Sequence, residues 1–162
     1  MQEKKIELKF ISAHFSELDH HDQKLITNAK ESFSTAYAPY SGFLVGASIY
    51  LENGEIINAS NQENVAYPSG LCAERVAMFY VGAKFPDVKI KAIAVSVLSK
   101  SFQVADVISP CGACRQVMAE YEDKQKQPIK VLLHSPNNQV LIAKKVQDLL
   151  PLMFKSSQLK KY

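Results

Sequence analysis

The chain is predicted to fold as an α/β protein, a three-layer α/β/α sandwich with a mixed five-stranded sheet. Three observations predict it. Helical and strand patterns follow one another in the order α-β-β-α-β-α-β-β-α, which places helices on both faces of one sheet. Asn53-Gly54 between two runs of β-formers is a strong hairpin signal, so part of the sheet is antiparallel. The nearly continuous apolar run 90–98 reads as a largely buried strand. The chain has 162 residues, which suits one domain on a scale of roughly 150 residues per domain. No repeat or Gly/Ser-rich linker divides it.

Each element follows from local pattern. Residues 1–18 are weakly patterned and are treated as an N-terminal extension of uncertain structure; the main folded domain is expected over 19–154 and a lysine-bearing C-terminal tail over 155–162. From Asp19 to about Tyr37, Leu25, Ile26, Ala29 and Phe33 recur at helical spacing, with Pro39 just beyond. Phe43–Leu51 and Glu55–Ala59 form the two arms of the hairpin. Cys72 to about Ala83 places Val76, Phe79, Tyr80 and Ala83 on one helical face before Pro86. Ser109 and Pro110 stand where an N-cap and a first-turn proline belong, ahead of a helix with the stripe Cys111, Cys114, Val117, Met118 and Tyr121. Strands are expected at about 129–133 and 139–143, and a short helix from Lys145 to Leu150, stopped by Pro151.

Composition narrows the function. Hydrophobic residues make up 47% and charged residues 22% of the chain, a balance that can bury a core and excludes a disordered chain. No apolar run approaches the roughly 18 residues of a bilayer span, and the start Met1-Gln2-Glu3-Lys4-Lys5 leads into no apolar signal segment. A soluble, cytoplasmic protein with no membrane partner is expected. The formal charge of +3 is concentrated at the ends, in Lys4, Lys5 and Lys9 and in Lys155, Lys160 and Lys161, and the body between them is slightly acidic. Nucleic-acid binding, which needs a basic stripe on the folded body, is not expected.

The chain has three cysteines, which cannot close a disulfide framework and suit a reducing compartment. Cys111-x-x-Cys114 at a helix start puts two sulfurs on one side, where exposed backbone N–H groups favour thiolates. Zinc sites and redox sites share that spacing. Cys72 also falls at a helix N-terminus, so three thiols can converge on a zinc ion. Three protein ligands leave a position for water, as in catalytic zinc sites. His134 could supply a fourth ligand, but a lone histidine at a strand end is more often hydrogen-bonded or on the surface, and His14, His20 and His21 read the same way. Three thiolates give the site a net negative charge, which two helix N-termini and Arg75, three residues after Cys72, can offset. Glu74, two positions from a thiol, can reach a metal-bound water without ligating the metal and carry protons. Taken alone, Glu74 would be only a favourable charge at a helix start. Cys72-Ala73-Glu74 followed by Pro110-Cys111-x-x-Cys114 matches the arrangement of zinc nucleobase deaminases.

The sequence resembles cytidine deaminase of the small homotetrameric, three-cysteine zinc type. The segments that carry the resemblance are Tyr40-Ser41-Gly42-Phe43-Leu44-Val45-Gly46-Ala47, Asn61-Gln62-Glu63-Asn64, Cys72-Ala73-Glu74-Arg75, Pro110-Cys111-Gly112-Ala113-Cys114-Arg115-Gln116-Val117 and Leu149-Leu150-Pro151-Leu152-Met153-Phe154. The resemblance implies Zn2+ held by Cys72, Cys111 and Cys114, with Arg75 behind the sulfurs and Glu74 as the catalytic proton carrier. It also implies hydrolytic deamination of cytidine and deoxycytidine in pyrimidine salvage. Phe43, Asn61, Glu63, Ala73 and Phe154 are carried over as substrate-binding residues. In that role Phe43 stacks on the base, Asn61 and Glu63 hold sugar hydroxyls, and Phe154 reaches a neighbouring subunit's site in a homotetramer. Val65 stands where the family commonly has a smaller residue.

Two other readings remain. One is a deaminase of the same fold acting on a cytosine-nucleoside antibiotic, a nucleotide or a base in nucleic acid. Asn61-x-Glu63 favours a free nucleoside, because a carboxylate beside the sugar repels phosphate. The other is a non-catalytic zinc or redox module, which leaves Glu74, Asn61 and Glu63 without a joint purpose.

Overall fold

The computed structural model describes residues 1–155 and Leu159; most of the lysine-bearing tail expected over 155–162 lies outside the described residues. The elements are β1 (Phe10–His14), α1 (His20–Glu31), β2 (Phe43–Leu51), β3 (Ile56–Ser60), α2 (Ala73–Lys84), β4 (Ile90–Ser99), α3 (Gly112–Gln125), β5 (Lys130–His134) and β6 (Gln139–Ala143). They build a three-layer α/β/α sandwich, as predicted, but the sheet has six strands in the order β1-β6-β5-β4-β2-β3. The additional strand is β1, inside the segment treated as an extension. It pairs antiparallel with β6, Phe10 opposite Ala143 and His14 opposite Gln139. An edge strand is held by backbone hydrogen bonds and needs no apolar face, and of β1 only Ala13 is even partly buried. No period-2 signal was there to read.

β2 pairs antiparallel with both β3 and β4. β4 and β5 are parallel, which requires a crossover, and α3 supplies it. Alternation in the central strands separates two cores. Ala92, Ala94, Leu132, Val140 and Ile142 pack under Leu25, Ile26 and Ala29 of α1. Ala47, Ile49, Ile93, Val95, Val131 and Leu133 turn the other way, toward α2 and α3. Gly46 permits the close approach of α1, because a Cβ there would overlap the Ala29 carbonyl.

α1 starts at the Asp19 cap, whose carboxylate accepts from Asp22 N at 2.8 Å. It ends at Glu31, short of the predicted Tyr37, in a 3-10 turn at Ser32–Thr35. There the Ser32 and Thr35 hydroxyls bond the Asn28 and Ser32 carbonyls and compete with the helical ladder. The predicted helix at Lys145–Leu150 is likewise a single 3-10 turn, Val146–Leu149.

α2 is set differently from its pattern. Ala73, Ala77, Met78 and Val81 are the buried positions, while Phe79 and Tyr80 remain 46% and 47% exposed. The face carrying Val76, Phe79, Tyr80 and Ala83 therefore points away from the sheet. Gly82 makes room for the Tyr121 ring of α3, which a Cβ there would meet. Among the described residues no helix is long and apolar enough to cross a membrane.

Candidate active site

The N-termini of α2 and α3 meet beside the carboxyl end of β4, and each is capped by a cysteine. Cys72 is the N-cap of α2 and Cys111, rather than the predicted Ser109, is the N-cap of α3. The three thiols come together: Cys72 Sγ lies 3.9 Å from Cys111 Sγ, which lies 3.4 Å from Cys114 Sγ. Among the described residues they are the only such cluster, with all three sulfurs within 4.8 Å of one another. His134 lies elsewhere. Its ring nitrogens face Ser96 Oγ and Asn138 Oδ1, both at 3.3 Å, and burial holds its pKa below the usual histidine value.

Charge is already arranged for thiolates here. A hydrogen bond from Cys114, with support from the Arg75 guanidinium, pulls the Cys72 thiol down to about 5, against its burial. Cys114, the donor in that bond, is pushed up. Arg75 Nη2 is 3.9 Å from Cys72 Sγ and 3.4 Å from the Gly70 carbonyl that it bonds. Glu74 is 4% exposed, and its burial lifts the carboxyl to about 7. Its Oε2, like Arg75 Nε, is buried without a hydrogen-bond partner. Unpaired buried polar atoms of this kind are rare, and they mark places completed by another group. Three convergent soft donors with a carboxylate and a guanidinium beside them suit a zinc ion with one position left for a small ligand.

The thiols open onto a cavity of about 650 Å³, ample for a nucleoside. Phe43 and Val45 of β2, Val95 and Val97 of β4, and the loops bearing Asn61 and Glu63 complete its wall. Asn61 is buried and braced against β2: its Oδ1 accepts from Val45 N at 2.9 Å, and its Nδ2 donates to the Phe43 carbonyl at 2.9 Å. Glu63 closes on the turn before β2, accepting from Tyr40 N at 2.9 Å, from Ser41 N at 3.3 Å and from Ser41 Oγ at 2.5 Å. The Ser41 hydroxyl bond, with those backbone donors, holds the Glu63 carboxyl below its usual range. Ala73 is fully buried at the start of α2 between Cys72 and Glu74 of the wall, and like the exposed Val65 it is not itself part of the cavity lining.

Phe154, carried over as a substrate-binding residue, also stands apart from the cavity of its own chain. It is 63% exposed, and the Gln116 side chain holds its backbone at both ends, donating to Phe154 O at 2.9 Å and accepting from Phe154 N at 3.3 Å. Sequence reasoning missed the service of Ser41, Arg115 and Gln116. Arg115 ties Pro110 O, beside the thiols, to Leu149 O at 2.8 and 3.2 Å. The turn signal Pro39-Tyr40-Ser41-Gly42 was visible, but its carboxylate partner lies 22 residues away from Ser41.

Residues 19–127 match the family described as the cytidine and deoxycytidylate deaminase zinc-binding region. The chain is similar to a cytidine deaminase of Sporosarcina psychrophila, 44% identical over 105 residues that span 61% of this chain and 68% of that protein. It is similar to one of Halalkalibacterium halodurans, 39% identical over 98 residues, 60% of this chain and 70% of that protein. Among solved structures, that of cytidine deaminase from Burkholderia pseudomallei superposes with a TM-score of 0.71 at 37% identity, covering 85% of this chain and all of that one.

Proposed function

Because the chain belongs to the cytidine and deoxycytidylate deaminase family, we propose that it hydrolyses cytidine and deoxycytidine to uridine and deoxyuridine plus ammonia, a reaction of pyrimidine salvage in the cytoplasm. One observation carries the reading. Two of three convergent thiols, Cys72 and Cys111, and a buried carboxylate with one unpartnered oxygen share a single cavity with an aromatic ring and the Asn61–Glu63 pair.

Cys72, Cys111 and Cys114 would hold the zinc ion, which when bound would make a water easier to ionise near neutral pH. Arg75 and the two helix N-termini offset the negative charge of the thiolates. Phe43 presents its ring to the pyrimidine, and Ala73 forms part of the base pocket. The Glu74 carboxylate takes a proton from the attacking water and passes it to N3 of the ring, which makes C4 more electrophilic. After the water oxygen has bonded to C4, Glu74 moves that oxygen's remaining proton to the exocyclic amine, leaving the C4 carbonyl of the product. The C4–N bond then breaks and ammonia leaves, so one water is consumed per base. Burial raises the proton affinity of the Glu74 carboxyl, which suits it to holding a proton between the two transfers.

Glu63 and Asn61 accept and donate to sugar hydroxyls, and the loop that carries them is braced before any ligand arrives. A carboxylate at that place disfavours a 5′-phosphate, so the free nucleoside is the substrate. Active sites are shared within a homotetramer, in which Phe154 enters a neighbour's cavity. The exposure of Phe154, its backbone clamp to Gln116, and the outward Phe79–Tyr80 face of α2 support that assembly.

A substrate panel with zinc analysis tests the reading. About one zinc per chain, with ammonia released from cytidine and deoxycytidine and little from CMP or cytosine, is the expected result. Faster turnover of CMP or blasticidin S moves the substrate to the nucleotide or antibiotic class. No turnover together with reversible Cys111–Cys114 oxidation makes the chain a redox module. Sedimentation velocity reporting a monomer at assay concentration removes the shared site.

A further inference from the structure

Beside the cavity lies an aromatic contact that the reaction as described does not use. Phe102, in the loop after β4, faces Phe43 with ring planes 11° apart and centroids 5.9 Å apart. That is the offset parallel arrangement aromatic pairs favour. Phe102 belongs to neither core, is 57% exposed and lies outside the cavity lining, whereas Phe43 lines it. An exposed phenylalanine contributes little to the core, so its ring contact is the feature that needs a purpose.

The backbone around the pair is built to hold the two rings in register. The Ser99 hydroxyl accepts from Ser101 N and Phe102 N at 3.1 and 3.2 Å, which fixes the turn that presents Phe102. One residue before Phe43, the Gly42 carbonyl accepts from Lys100 N at 3.1 Å. Gly42 has φ +65°, a backbone conformation that side chains rarely adopt, and a Cβ there would lie 2.6 Å from Ser101 Oγ, so the two turns approach closely at this point. On the other flank, Ser41 Oγ accepts from Phe43 N at 3.0 Å while donating to Glu63. The Phe43 backbone is thus fixed from the sugar side, and its ring is met by Phe102.

We propose that Phe102 is a positioning residue for base binding: it stacks on Phe43 and sets the tilt at which that ring meets the pyrimidine. The inference rests on the reading of Phe43 as the base-stacking ring. A ring held at its working angle loses no further freedom when the ligand enters, so Phe102 strengthens binding of substrate and product alike and leaves the chemical step unchanged.

The test combines steady-state kinetics on cytidine with calorimetric binding of uridine to the zinc-loaded protein, for wild type, Phe43→Ala, Phe102→Ala, Phe102→Leu, Phe102→Tyr and the Phe43→Ala/Phe102→Ala double variant. Phe102→Ala is expected to raise KM and the uridine Kd together by about 2- to 12-fold, the range an aromatic pair supports, with kcat and zinc content unchanged. Tyr restores both constants. Leu, which fills the space without a ring, does not. In the Phe43→Ala background, loss of Phe102 adds nothing. Wild-type constants in Phe102→Ala, full rescue by Leu, or effects of the two alanines that multiply overturn the inference. If Phe43→Ala weakens binding and Phe102→Ala does not, this inference alone fails. If Phe43→Ala changes neither KM nor Kd, the reading of Phe43 fails and takes the inference with it.

Discussion

At the thiol end of the cavity Glu74 Oε2 and Arg75 Nε are buried with no partner, whereas at the opposite end both oxygens of Glu63 and both polar atoms of the Asn61 amide are bonded by the protein itself. The two ends are made of similar groups in different states of satisfaction. A buried carboxylate with one oxygen left unpartnered has a raised affinity for a proton, which is what proton transfer needs. A carboxylate already held by three donors has a fixed position and a low proton affinity, which is what recognition of a hydroxyl needs. Substitutions at the first end should therefore change rate, and at the second end binding or stability.

The largest effect expected is at Glu74. Glu74→Gln removes the proton carrier and keeps the shape, so kcat should fall by about 10²- to 10⁴-fold while zinc content stays at that of wild type; activity near wild type would erase the contrast between the ends.

Next comes a pH effect on the chelated, metal-free protein. The folded pKa of Glu74 is raised by burial from an ordinary 4.5 to about 7. A raised folded pKa gives stability that is complete below the unfolded value and lost as pH rises through the folded one. Relative to metal-free Glu74→Gln, the metal-free wild type should lose about 3 kcal/mol between pH 4.5 and 8. Urea denaturation at each pH reads the difference, and parallel curves for the two proteins would show that Glu74 is not strained by its site.

Asn61→Ala tests the satisfied end. It leaves Val45 N and Phe43 O without their side-chain partners, and a stability loss of about 2 kcal/mol is expected by thermal or urea unfolding. A change in kcat without a change in stability would mean that Asn61 belongs with the reactive groups.

Glu63→Gln should have the smallest effect, a rise in KM for cytidine of about tenfold from loss of a charge-assisted acceptor, with kcat little altered. A drop in kcat comparable to that of Glu74→Gln would make the two ends chemically alike.

Much of this was legible in the chain. Cys72, Cys111 and Cys114 were recognisable as convergent because both segments start helices, and chemistry permits few other uses for three thiols with a glutamate between them. The central strands followed from apolar runs, and β2, β4 and β6 lie within one residue of their expected limits. What escaped were features set by partners distant in sequence. β1 is a strand because the edge of β6 offers hydrogen bonds to it, and its own residues carry no signal of that. Phe102 has meaning only through the Phe43 ring 59 positions before it. The Ser41–Glu63 contact likewise joins two loops that look independent until the sheet brings them side by side.

Amino-acid order alone was enough to specify the layer architecture, the three thiols and the Glu74 carboxylate beside them, because periodicity and donor chemistry are properties of short segments. Folding in three dimensions chose which side of α2 faces the sheet, which polar atoms are satisfied and which are left bare, and where the sixth strand attaches. α2 is apolar on more than one side, so its pattern allows either placement; in the fold Ala73, Ala77, Met78 and Val81 are buried and Phe79 and Tyr80 face outward. Volume and hydrogen-bond complementarity between distant segments made those choices, and neither quantity exists until the segments meet.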